Sequence, residues 1–76
     1  MDLPLISQLR SRLESILLVL DSPASVESLA RALGAERDVV SDCLRAVQRE
    51  LNNRGSGIEL RETQEGWRFY TRSEND

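Results

Sequence analysis

"GIELRETQEGWRFYTR", residues 57–72, holds all three aromatic side chains of the chain, Trp67, Phe69 and Tyr70, interleaved with Arg61, Arg68 and Arg72. Ile58 and Leu60 alternate with Glu59 and Arg61, and Trp67 and Phe69 alternate with Arg68 and Tyr70. A period of two is that of a strand with one buried face. Gln64-Glu65-Gly66 between the two runs predicts a hairpin, with Leu60 opposite Phe69 and Glu59 near Tyr70. A slip of one residue would send the two apolar sets to opposite faces, so this register is the expected one. An isolated two-stranded hairpin is barely stable in water, and this one must lay its apolar face on something else. Trp67, Phe69, Ile58 and Leu60 supply that face, which leaves Arg68, Tyr70 and Arg72 on the outer side for a partner.

Upstream of the turn-rich stretch NNRGSG (52–57), the period changes to that of helices. A helix over roughly 37–53 carries Val40, Cys43, Leu44, Val47 and Leu51 on one stripe. A shorter one carries Val26, Leu29, Ala30 and Leu33, with Ser25 as its expected N-cap and Gly34 where positive φ is cheap. The first, over roughly 5–20, places Ile6, Leu9, Leu13, Ile16, Leu17 and Leu20 on one face. Asp21-Ser22-Pro23 ends it, because the residue before a proline is pushed out of the helical region.

The order helix, helix, helix, hairpin predicts a mostly α chain with a small β-hairpin: a winged helix-turn-helix. Its centre is "LARALGAERDVVSDCL" (29–44). There Ala30 allows two helices to approach, Gly34 makes the turn, and Val40 and Leu44 plug the angle between them.

With 76 residues the chain is one domain, of a size that buries only about 60% of its unfolded surface. Hydrophobic content of 39% and charged content of 30% fit a soluble globular fold. Histidine is absent and Cys43 is the only cysteine, which removes disulfides, His-containing zinc sites and Ser-His or Cys-His catalytic pairs. Cys43 reads as a small buried hydrophobe. Asp38 and Asp42 share a helix face but lack further metal ligands, so no enzyme, metal or cofactor is expected. "ILLVL" (16–20) is too short for a signal peptide and no run is long enough to span a bilayer, so a cytoplasmic location is expected.

Ten arginines against thirteen acids give a formal net charge of -3, so any DNA contact must be local. A base-reading helix inserts its amino-terminal residues into the major groove. Here those are Glu36, Arg37, Asp38, Ser41 and Asp42, three acids against one base. Positive charge comes only later, at Arg45, Arg49 and Arg54, which can touch a phosphate backbone without reading sequence. A DNA-binding transcriptional regulator is the alternative reading. Arg45, Arg49, Arg68, Tyr70 and Arg72 are its candidate partner or phosphate contacts.

The first helix is more apolar than its own core requires. Leu18 projects opposite the core stripe, Val19 and Leu5 flank it, and Leu3 extends the excess. Leu5, Leu18 and Val19 are therefore the expected contacts of a twofold homodimer.

"LESILLVLDSPASVESLARALG" (13–34) followed by "GSGIELRETQEGWRFYTR" (55–72) resembles the amino-terminal winged-helix domain of the bacterial segregation and condensation protein B family. Its pattern is an apolar first helix, a proline-containing loop, a helix ending in Leu-Gly, and a hairpin opening Gly-Ile-Glu-Leu. Trp67 stands where that family often has tyrosine, and the hairpin tip has one glycine. The resemblance implies a non-enzymatic subunit of the bacterial condensin. Such a subunit forms homodimers, binds the kleisin, segregation and condensation protein A, and through it SMC, in chromosome condensation and segregation. It also implies a nucleoid-associated location, weak or indirect DNA contact, and a second winged-helix domain downstream, so that residues 1–76 read as an amino-terminal fragment. On this resemblance Leu18 and Val19 match the first helix's apolar run. Leu60, Trp67 and Phe69 match the hairpin core, and Thr71 and Arg72 the hairpin end.

Overall fold

The computed structural model describes residues 3–72, with side chains from Gln8 onward. Three helices and a hairpin follow in order: α1 (Leu3–Leu18), α2 (Val26–Leu33), α3 (Arg37–Asn53), β1 (Ile58–Thr63) and β2 (Gly66–Thr71). This is the winged helix-turn-helix that the periodicities predict.

Each helix end has a local cause. Helix α1 closes on a tightened bond from the Val19 amide to the Ile16 carbonyl, two residues short of the expected limit at residue 20, and Leu20 still packs against the core. Ser25 caps α2 by accepting from the Ser28 amide at 3.1 Å. Gly34 ends it in the left-handed region at φ 66°, where the Ala35 amide reaches back to the Ala30 carbonyl. Helix α3 stops the same way, with Gly55 at φ 64° and the Ser56 amide donating to the Leu51 carbonyl.

The core is one cluster to which every element contributes. Leu13 and Leu17 come from α1, Leu29, Ala30 and Leu33 from α2, and Val40, Leu44, Val47 and Leu51 from α3. Leu60 and Trp67 arrive from the hairpin. Val40 and Leu44 are fully buried in the angle between α2 and α3. Cys43 is half-buried against the same cluster, and burial pushes its thiol above the ordinary value.

The strands pair antiparallel with Leu60 opposite Phe69 and Glu59 opposite Tyr70, the register the alternation predicts. The tip is a two-residue connection, Gln64-Glu65, between the paired Thr63 and Gly66. Thr63 Oγ1 accepts from the Glu65 amide and donates to the Gly66 carbonyl. No non-glycine residue among those described has positive φ; the tip places it on Gly66, at φ 137°. One glycine therefore suffices for this turn.

Gly66 has a second reason to be glycine. A Cβ there would collide with the Ala24 carbonyl. The close approach lets Ala24 form a single bridge with Trp67, the Trp67 amide donating to the Ala24 carbonyl at 2.7 Å and the Ala24 amide donating back at 3.0 Å. The α1–α2 connection is thus a one-residue third strand that clips the wing onto the helices.

Further bonds fix the wing. Gln48 of α3 donates to the Leu60 carbonyl at 3.0 Å. At the far end Arg72 donates to the Ser56 carbonyl and to Asn52 Oδ1, both at 2.6 Å, and its amide donates to Gly57. A guanidinium so close to the end of α3 also complements the negative end of that helix.

Candidate interaction surfaces

Apolar side chain left outside the core lies chiefly at the end of α1. Leu18 is 68% exposed and Val19 76% exposed. One residue earlier Leu17 is buried, as is Leu13 a turn before it, so the exposure of Leu18 follows from the side of the helix it occupies. The side chain of Leu5, the third expected dimer contact, lies outside the described residues. A third exposed aliphatic, Val39, is on α3 at 44%. It helps to wall an apolar groove of about 340 Å³ between α1 and α3 with Leu9, Cys43 and Ala46. Helix periodicity does not reveal this groove, because by spacing alone Leu9 and Cys43 read as core. Nearby, Arg10 pairs with both Glu14 on its own helix and Glu50 on α3, tying the two helices together at the groove's end.

The amino-terminal part of α3 is acidic and outward. Glu36, Asp38 and Asp42 are exposed, and Arg37, the one base there, pairs with Glu27 of α2 at 3.2 Å. A groove-reading helix would need the opposite sign at this end, where phosphates would flank it on both sides. Arg45 and Arg49 are exposed further along. Among the described residues neither lies within ion-pair distance of a carboxylate.

The wing's outer face carries the remaining candidates. Arg68 and Tyr70 project there, half-buried. Arg72 does not join them, because its guanidinium is committed to Ser56 and Asn52 inside the chain. Its place is taken by Arg61, directly opposite Arg68 in the ladder. Both guanidinium carbons lie over the Tyr70 ring, Arg61 at 4.7 Å and Arg68 at 5.7 Å from its centroid. Glu59 meets Arg61 at 2.6 Å, and that hydrogen bond holds the Glu59 carboxyl below the usual range. Arg61 was not singled out as a contact; its equal parity with Arg68 about the turn was the available signal.

A family model described as "Segregation and condensation complex subunit ScpB" matches residues 11–76. The segregation and condensation protein B of Myxococcus xanthus (strain DK1622) is 36% identical over 64 residues, which cover 84% of this chain and 20% of that protein. The crystal structure of ScpB from Mycobacterium tuberculosis is 42% identical with a TM-score of 0.88, over 91% of this chain and 43% of that one. A structure described as a dimer of the ScpB N-terminal domain complexed with ScpA peptide shares the fold at TM-score 0.83 and 18% identity, over 92% of this chain and 82% of that one. The chain thus spans less than half the length of the Myxococcus and Mycobacterium relatives. Matched by the family model over most of its length and by a relative 36% identical across 84% of it, the chain belongs to the ScpB family of segregation and condensation complex subunits.

Proposed function

We propose that this domain is a non-enzymatic interaction module of the bacterial condensin, pairing with a second copy through the end of α1 and contributing to capture of the kleisin subunit. The observation that carries the dimer is the exposure of Leu18 and Val19, adjacent at the end of a helix whose inward stripe already fills the core. A monomer gains nothing from leaving two such aliphatic side chains in water; burying each is worth about 1.5–3 kcal/mol. A twofold axis beside α1 would place each pair against its own copy.

Kleisin binding is supported by family membership and by the domain dimer solved with ScpA peptide. The protein then acts at the nucleoid, as a cytoplasmic partner of SMC through the kleisin. The greater length of the relatives is in keeping with a second winged-helix domain beyond residues like those described here. Reading of an operator by α3 is disfavoured by Glu36, Asp38 and Asp42 at its leading end. Any DNA contact is expected to be weak, through Arg45 and Arg49.

Light scattering of the Leu18→Asp variant tests the dimer. The expected result is half the native mass with an unchanged helical signal; unchanged mass in a folded variant removes Leu18 from the interface. Titration with a kleisin peptide tests the second half of the proposal, with saturable binding expected for the native chain. Sequence-selective binding to one duplex over random DNA would favour a regulator instead.

A further inference from the structure

We propose that the outward face of the wing is a separate protein-contact site, which takes an acidic side chain of a partner polypeptide on the Arg68 guanidinium. The site goes beyond the dimer reading and does not rest on it. The first observation is the opposition of Arg61 and Arg68 across the ladder. Like charges directly opposite one another destabilise a strand pair, and folding alone would favour a carboxylate at one of the two positions. Glu59 relieves Arg61 at 2.6 Å. Among the described residues no carboxylate does the same for Arg68.

The second observation is how Arg68 is held. Tyr70, two residues on and on the same face, puts its ring under the guanidinium at 5.7 Å. A guanidinium resting on an aromatic face keeps its in-plane N–H groups available for a carboxylate. The third is a cleft of about 500 Å³ beside it, lined by Pro23, Thr63, Gln64, Glu65, Arg68 and Tyr70. Pro23 and the tyrosine ring offer apolar walls to the stem of a glutamate or aspartate, with the charge fork of Arg68 beyond them.

The surroundings choose between a carboxylate and a nucleic acid. Glu59, Glu62 and Glu65 lie on the same hairpin and the chain carries a formal charge of -3. A backbone of regularly spaced phosphates would have to pass these acids, whereas one carboxylate entering the cleft meets Arg68 first. The occupant is therefore a single glutamate or aspartate side chain on a protein segment otherwise free of acidic charge.

The test uses the full chain and a fluorescent peptide carrying one glutamate in an otherwise uncharged segment, followed by anisotropy at low salt, with random duplex DNA as competitor. Saturable peptide binding is expected, weakened about tenfold or more by Arg68→Ala, as for loss of a charge-assisted bond. Arg68→Lys, which keeps the charge but not the fork, should recover only part of it, while Arg45→Ala should leave it unchanged. Amide shifts induced by the peptide should centre on Arg61, Arg68 and Tyr70, a readout that does not need the variants to fold. Absence of saturable binding, equal binding by Arg68→Ala, shifts centred elsewhere, or DNA displacing the peptide at lower concentration would each overturn the proposal.

Discussion

The inner side of the wing and the end of α1 both hold large apolar side chains, and they dispose of them in opposite ways. Trp67 is 3% exposed, pinned over the core by the Ala24 bridge, whereas Leu18 and Val19 stand 68% and 76% exposed. Both segments read as amphipathic. The difference lies in what each can reach: the hairpin folds back after α3 onto the helices, where Leu60 and Trp67 join the core, while Leu18 ends α1 on the face opposite its buried stripe. Exposure of this kind in a small domain points outward, to a second molecule.

That contrast can be broken by substitution, and the largest effect is expected on the wing. Trp67→Ala removes the one aromatic ring that is fully in the core and should cost about 3–5 kcal/mol in chemical denaturation, a large share of the stability of any domain this size. The indole N–H finds no partner among the described residues, so some of the ring's gain is already spent on burying it. A loss below about 1 kcal/mol would mean that the wing does not hold the fold together. Gly66→Ala should come next, at about 2–3 kcal/mol, because the added Cβ meets the Ala24 carbonyl and the backbone is at φ 137°. Denaturation by urea with the fluorescence of Trp67 as probe would show it, together with a red-shifted native spectrum if the clip opens.

Ser25→Ala separates the bridge from the cap beside it. Only the 3.1 Å bond to the Ser28 amide is lost, so about 1 kcal/mol is expected, with the Trp67 spectrum unchanged. Smallest of all is the expected effect of Leu18→Asp on the unfolding of the isolated domain, within about 0.5 kcal/mol. Its consequence belongs to the mass measured by light scattering. A large loss of monomer stability in that variant would show that Leu18 belongs to the fold after all and would erase the contrast.

Much of this was legible from spacing. Leu13 and Leu17, Leu29 and Leu33, Val40, Leu44, Val47 and Leu51 are buried where a period of 3.6 puts them. Ser25 and Gly34 cap α2 as their chemistry suggests, and Leu60 faces Phe69 in the expected register. The exposure of Leu18 follows from the same wheel. Arg72 was legible only in part: its parity placed it with Arg68 and Tyr70, but its guanidinium is turned to the end of α3, where a carbonyl and an amide oxygen outcompete water for it. Phe69, expected beside Trp67 in the core, packs against the cluster from its edge and stays half-buried.

The chain's own order of residues determined its five elements, their inward faces and the strand register, since all of these follow from periods and caps that act over a few neighbours. Only the folded arrangement decided that Ala24 would clip Trp67, that Arg72 would lock the wing to α3, and that Arg61 and Arg68 would share the Tyr70 ring with a cleft beside them. These contacts join residues from separate elements. Their geometry is set by how the helices and the hairpin pack, which no local pattern encodes.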